Sequence, residues 1–308
     1  MQDILAQPIQ LGHHRAKNRI FMPPMLRPWS DDSGKVSDRH ISHYQGRAEG
    51  GVGTIVIEST AVLQEYRLSE KNIGIWSDEH IDGLSQMAKA ILEKDVLAFI
   101  QINHTAANRA LSKDEITTAR NAFVDAAVRA EKAGFQGVEI HAAHGYQLSR
   151  LLSSNHNQQD DEYGGSIDGR LRLLFEIISL VREKTKSDLA LGVRLGIDSL
   201  EDGIEFAKKL SPLVDYLSIS RGAGDVDAIS TPPNYPFSPL VYRAEQVKPY
   251  VTVPVVAVGG INTGAIARQI LLKGIADLIA VGKGMLGDPR WAEKALSDRD
   301  DEIQPFRN

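Results

Sequence analysis

The sequence predicts an α/β protein, a single (β/α)8 TIM barrel, on three observations. Eight short runs rich in Val, Ile and Leu recur along the chain, helical segments separate most of them, and 308 residues is a typical length for such a barrel. The runs occupy residues 19–22, 54–58, 97–103, 137–142, 189–195, 216–220, 253–258 and 277–281. Their near-continuous apolar content is what parallel strands buried on both faces require. Helical patterns lie between them, among others at 78–94, 119–133, 171–184, 200–210 and 263–273. A doubly wound open sheet is the alternative, but eight strand–helix units exceed its usual strand count. No linker, repeat or low-complexity stretch divides the chain, so residues 1–308 are expected to form one domain.

Composition narrows the function classes. A net charge of -5, spread along the chain, argues against nucleic acid or an anionic membrane as partner. No apolar run approaches the roughly 20 residues that span a bilayer. The opening Met1-Gln2-Asp3-Ile4 shows no basic segment followed by an apolar one, so a cytoplasmic protein is expected. With no cysteine there is no disulfide, no thiol nucleophile and no thiolate-held iron–sulfur cluster. Electrons, if the protein moves them, must come from a diffusible donor.

In a barrel of this kind, reactive groups gather at the C-terminal ends of the strands. His141 and His144 close the fourth strand, Gln101 lies near the end of the third and Arg194 near the end of the fifth. Gly145 is placed to turn the chain, which lets His141, His144 and Tyr146 converge. Two imidazoles beside a phenol can hold a carbonyl oxygen and deliver a proton nearby. Gly259 and Gly260 follow the seventh strand, and Gly282-Lys283 follow the eighth. Glycine backbone at those two loops, with a cation and a helix start at Asn262-Thr263, is a phosphate-binding pattern.

The run Val138-Glu139-Ile140-His141-Ala142-Ala143-His144-Gly145-Tyr146, followed by Asp161-Glu162-Tyr163-Gly164-Gly165-Ser166 and Arg170, resembles the signature of the old yellow enzyme family of FMN-dependent ene-reductases. The likeness extends from about Pro8 to Trp291. It implies FMN as cofactor, with NADH or NADPH as the diffusible hydride donor. It also implies a small-molecule acceptor such as an α,β-unsaturated carbonyl. On that resemblance His141 and His144 hold the acceptor's oxygen and Tyr146 supplies the proton. Pro24 and Met25 line the flavin ring, Ser59 touches it, and Gln101 and Arg194 face its pyrimidine edge. Gly259, Gly260, Gly282 and Lys283 take the phosphate. Trp29 is the candidate aromatic lining the substrate pocket.

The chain departs from the family pattern at defined places. Lys283 stands where an arginine is usual, and Leu26 where a hydroxyl or thiol usually faces the flavin. Gln159 replaces a frequent Arg and Gly169 a frequent Asn. After Gln101-Ile102-Asn103-His104, the long excursion that caps family active sites is missing. These departures support an alternative: a flavin-binding protein with weak turnover or a bulkier acceptor. A further alternative is a metal-dependent barrel lyase ligated by His141, His144 and Glu139. The ending Gln304-Pro305-Phe306-Arg307-Asn308 faintly resembles relatives whose terminal arginine reaches a neighbouring subunit, compatible with a homo-oligomer; a solvated tail is the other expectation.

Overall fold

A computed structural model describes residues 3–107, 109–224 and 229–307. Eight parallel strands close into a barrel: β3 (Ile20–Met22), β4 (Thr54–Ala61), β5 (Leu97–Asn103), β6 (Gly137–Ala142), β7 (Ala190–Ile197), β8 (Tyr216–Arg221), β9 (Val255–Val258) and β10 (Leu278–Ala280), with β10 pairing back onto β3. The predicted strands are all present, with shifted ends. β4 continues to Ala61 through a register shift between Ile57 and Thr60. β9 starts at Val255, because Pro254 has no N–H to give the ladder.

Ahead of the barrel, β1 (Ile9–Leu11) and β2 (His14–Ala16) form an antiparallel hairpin that the sequence did not announce. Its three-residue strands are too short to show a period. Leu11 and Ala16 join Phe21, Val56, Phe99, Tyr216 and Val256 in one buried cluster, so the hairpin packs with the barrel filling.

The outer layer is helical. α1 (Asp38–Glu49) follows β3, α2 (Ile81–Leu92) follows β4, and α3 (Lys113–Lys132) follows β5. After β6 come α4 (Gln147–Leu152) and α5 (Ile167–Lys184); α6 (Leu200–Leu210) and α7 (Pro239–Val247) follow β7 and β8. α8 (Gly264–Leu272) lies between β9 and β10, and α9 (Lys283–Gly287) and α10 (Trp291–Leu296) come last. α3 begins six residues before the expected start at residue 119 because Ser112 and Glu115 form a capping box, each side chain taking the other's backbone N–H. α1 shows no apolar stripe in the sequence, because its buried side chains are His40, His43, Tyr44, Arg47 and Ala48. No described helix is long and apolar enough to cross a membrane.

Inside the barrel, parity along the strands places Glu139 and His141 of β6, Gln101 of β5, Arg194 of β7 and Tyr216 and Ser220 of β8 toward the axis. Space is made by Gly192, whose added Cβ would fall 2.1 Å from the Tyr216 ring. That ring stacks on Phe99 at 5.9 Å and meets Phe21 edge-on at 5.7 Å.

Candidate active site

The end of β6 carries the reactive groups. His144 and Gly145 both take left-handed conformations, φ 64 and 76, and so turn the chain back over the barrel mouth. The turn is pinned by the His144 N–H, which donates to the carbonyl of Arg221 at 3.1 Å. His141 Nε2 and His144 Nδ1 are hydrogen-bonded at 3.0 Å, and His144 Nε2 reaches Ser220 Oγ at 2.7 Å. The Tyr146 ring lies 5.0 Å from that of His141 and 6.4 Å from that of His144. His141, His144 and Tyr146 are thus brought together, with Ser220 as a member that sequence reasoning missed.

Electrostatics fix the protonation states. Burial drives the His141 pKa well below the usual imidazole range, with His144 and Arg194 adding to it. Burial, then Arg194 and Arg221, lower His144 to about 2. Both rings are therefore neutral near pH 7 and carry one N–H each. Their mutual bond uses one of the two, and His141 Nδ1 is buried without a partner among the described residues. Donation by both rings to one acceptor oxygen requires that shared bond to open. Tyr146 is half-buried, and burial raises its pKa, so the phenol keeps its proton. Its hydroxyl has no hydrogen-bond partner among the described residues.

Below the imidazoles lies a second buried layer. Gln101 Nε2 donates to Glu139 Oε1 at 2.7 Å, and the Tyr216 hydroxyl donates to Oε2 at 3.2 Å. Glu139 is therefore a floor residue committed to Gln101 and Tyr216, which removes it from the ligand set of the lyase alternative. No group of three His, Asp or Glu among the described residues is arranged to hold a metal. Arg194 is buried; burial lowers its pKa and the nearby Glu139 opposes that shift. Its Nε has no partner among the described residues.

Toward the opposite side of the mouth, a cavity of about 440 Å³ and one of about 420 Å³ adjoin, sharing Asn262, Lys283 and Gly284. The second runs from Pro23 and Met25 past Arg194 to Gly259, Gly260 and Gly282. Gly259 (φ 107) and Gly260 (φ 69) adopt backbone that side chains disfavour, and a Cβ on Gly259 would meet Ser238 Oγ at 2.8 Å. Ser238 holds this turn by donating to the Gly259 carbonyl at 2.9 Å. The start of α8 is already satisfied: Asp300 accepts from the Gly264 and Ala265 N–H groups at 2.7 and 2.9 Å, and Thr263 caps Ile266. The expected helix-terminus donors are spent, leaving the two glycine loops and Lys283.

The family profile described as NADH:flavin oxidoreductase / NADH oxidase matches residues 4–110 and 104–302. The chain belongs to that family. It is 35% identical to the NADPH dehydrogenase of Bacillus cytotoxicus, over 99% of this chain and 95% of that protein. The old yellow enzyme homologue from Zymomonas mobilis superposes with a TM-score of 0.81 at 27% identity, covering 96% of this chain and 92% of that one. A 2-naphthoyl-CoA reductase complex shares the fold (TM-score 0.89, 24% identity, 99% of this chain), and this chain spans 54% of its length. The protein is an FMN-dependent NAD(P)H oxidoreductase.

Its residues fit a flavin mononucleotide. The cavity has a glycine-lined phosphate end and an apolar wall at Pro23 and Met25. Among the described residues, Ser59 Oγ and Arg194 Nε are buried without a partner, as groups meeting a polar cofactor would be. Pro24 is half-buried and lies outside the set of lining residues. The Trp29 ring packs on His40 at 5.5 Å and His43 at 5.2 Å, with the Arg39 guanidinium 4.2 Å from its centroid. It packs against α1 and is not among the residues lining the two cavities. Because α8 contributes no free amides, Lys283→Ala is expected to weaken FMN retention about tenfold, the loss of one charged hydrogen bond; flavin release on dilution, followed by fluorescence, measures it.

The two pieces of the family match meet at residues 104–110, where the capping excursion is absent. Here β5 passes to α3 through a short crossover. Gln159, one of the departures noted above, secures it with two bonds to Leu111, at 2.7 Å to the N–H and 3.1 Å to the carbonyl. His104 stacks on Tyr66 at 3.9 Å.

Beside the cavity's ring end, Glu58 organises the loop that carries Leu26. It accepts from the Arg27 N–H at 2.9 Å and the Tyr44 hydroxyl at 3.2 Å. Burial raises its carboxyl to about 8 and lowers His40, 3.8 Å away, so both are neutral near pH 7 and form no ion pair. A folded pKa above the unfolded value favours the fold at low pH and loses that advantage as pH rises. The stability difference between wild type and Glu58→Gln should therefore shrink by a few kcal/mol between about pH 4.5 and 8. Parallel denaturant curves at a series of pH values test this, and a pH-independent difference would contradict it.

Proposed function

We propose that the chain is an ene-reductase that reduces the activated C=C bond of an α,β-unsaturated carbonyl with electrons from NADH or NADPH. The observation that carries this reading is the neutral His141–His144–Ser220 hydrogen-bond chain with a free, protonated Tyr146 beside it at the end of β6. FMN, when bound, supplies two-electron hydride chemistry shared in turn by the nicotinamide and the acceptor. The protein's part is to bind, orient and move a proton.

In this reading His141 and His144 anchor the acceptor's carbonyl oxygen. One imidazole N–H is available while the rings remain bonded to each other, and a second is freed only when that shared bond opens, with Ser220 donating to His144 Nε2 so that the His144 proton sits on Nδ1. A hydrogen bond to that oxygen draws electron density from the double bond and makes the β carbon electrophilic. Tyr146 then delivers its proton to the α carbon. Arg194 would stabilise negative charge at the flavin's pyrimidine edge, and Gln101, whose amide nitrogen gives one N–H to Glu139, would offer its Oε1 there. Gly259, Gly260, Gly282 and Lys283 would hold the phosphate, Met25 and Pro23 would border the ring, and Ser59 would contact it. The full chain works as one flavin-binding unit in the cytoplasm.

The short crossover and Leu26 support a second reading, in which the same site turns over slowly or takes a bulkier acceptor. One experiment separates the two. The purified, FMN-loaded protein is followed anaerobically by visible absorbance as NADPH or NADH, then 2-cyclohexenone, is added. Bleaching followed by full recovery within seconds to minutes supports the ene-reductase. Bleaching without recovery favours the second reading, and no bleaching overturns the nicotinamide half of the proposal.

A further inference from the structure

We propose that residues 300–306 are a clasp of the cofactor site: they fasten the two phosphate loops to each other, and the preference for a phosphorylated flavin over riboflavin depends on them. The inference rests on the assignment of the flavin phosphate to Gly259, Gly260, Gly282 and Lys283. It adds positioning residues that lie outside both loops.

The two loops follow different strands, β9 and β10, so a phosphate between them is held only as well as their spacing is fixed. The cavity of about 440 Å³ lies where both loops meet the chain's last segment. Asn262 and Thr263 enter it from the first loop, Lys283 and Gly284 from the second, and Asp300 with residues 303–306 completes the wall. Asn262, Lys283 and Gly284 also line the cavity that fits the flavin, so this segment borders its phosphate end.

The segment grips both sides. Toward the β9 loop, the Asp300 carboxylate accepts from the Gly264 and Ala265 N–H groups at 2.7 and 2.9 Å, which pins the chain two residues after Asn262. Toward the β10 loop, the Gln304 N–H donates to Asp288 Oδ2 at 3.0 Å, just past the end of α9. Asp288 is buried and also accepts from Lys294 Nζ at 2.7 Å and the Arg290 N–H at 2.9 Å, so this anchor is fixed. Lys294 donates as well to the Glu302 carbonyl at 2.8 Å. Gly287, the last residue of α9, permits the close approach: an added Cβ would fall 2.7 Å from the Phe306 nitrogen and 2.8 Å from its Cα. Between the grips, a short 3-10 helix (Asp300–Glu302) and Pro305 restrict the backbone.

Loops already ordered lose little freedom when a ligand binds, whereas each freed residue that must be re-ordered costs about tenfold in affinity. On the assignment above these loops hold the phosphate, so loosening them costs FMN and spares riboflavin, which lacks it.

The test uses the FMN-loaded protein. Riboflavin in excess competes for the site at equilibrium, and chromatography of the retained flavin gives the ratio of the two affinities. Two variants loosen the clasp without altering either glycine loop or Lys283. Gly287→Ala pushes against residues 305 and 306, and Gln304→Pro lacks the N–H that Asp288 accepts. The preference for FMN should fall about tenfold in each, the cost of one residue re-ordered on binding. An unchanged ratio would overturn the clasp, because general loosening of the fold weakens both flavins together. Coupling is reciprocal, so in the wild type hydrogen exchange over residues 300–306 should be slower with FMN bound than with riboflavin bound. Equal exchange overturns the inference even if both variants fail to fold. A wild type that binds the two flavins equally removes the phosphate assignment, and the clasp with it.

Discussion

Tyr146→Phe is expected to slow acceptor-dependent recovery of the flavin absorbance by about 10²-fold or more while leaving bleaching by the nicotinamide nearly unchanged. The asymmetry follows from position. The phenol packs on the His141 ring at 5.0 Å, its hydroxyl has no partner among the described residues, and burial keeps its proton in place. Phenylalanine retains the packing and removes the acid. Anaerobic stopped-flow resolves the two halves, because nicotinamide oxidation needs no proton from this group. Equal slowing of both halves would mean that Tyr146 positions the ring site instead, and no slowing would remove it from the chemistry. His141→Ala in the same assay should raise KM for the acceptor if, as proposed, that ring anchors the oxygen without supplying the proton.

The second large effect is on stability. Gly192→Ala should cost about 3 kcal/mol or more, at the upper end for overpacking a core. The new methyl would sit 2.1 Å from the Tyr216 ring. That ring cannot step aside, because Phe99 and Phe21 bracket it and its hydroxyl is bonded to Glu139. A double-mutant cycle isolates the cause: in a Tyr216→Ala background the same substitution should cost little, because the clashing ring is gone. Denaturant midpoints measure both. An equal penalty in the two backgrounds would place the strain in the β7 backbone rather than against Tyr216. The disturbance should also reach the cofactor, since Tyr216 and Gln101 share the Glu139 carboxylate beneath the site.

The sequence made the barrel legible because parallel buried strands announce themselves as apolar runs, and the strand ends then point to the catalytic mouth. The His141–Tyr146 turn was readable because all its members lie within six residues. What stayed hidden depends on distance along the chain. Ser220 lies 76 residues from His144, and Asp300 lies 36 from the α8 amides it satisfies. Nothing local marks either. The helix terminus expected to help bind phosphate was unavailable for that reason. Proximity in sequence to Met25 likewise does not say what the Trp29 ring packs on, which is the cationic and imidazole surface of α1. α1 itself was obscure because its buried face is made of His40, His43, Tyr44 and Arg47, residues that ordinarily signal solvent.

The crossover between β5 and α3 is fastened at several points, by Gln159 to Leu111, by the Ala107 N–H to Gln147 Oε1 at 3.0 Å and by the Gln147 N–H to the His104 carbonyl at 3.1 Å. A segment so tied has little conformational entropy left to lose when a ligand arrives. Nicotinamide and acceptor should then associate in single kinetic steps whose rates rise linearly with concentration, without the plateau that a closing lid imposes. With the crossover tied at His104, Ala107 and Leu111, molecular oxygen should reach that side of the site equally at every stage of the cycle, and NAD(P)H consumption in air without an organic acceptor measures it.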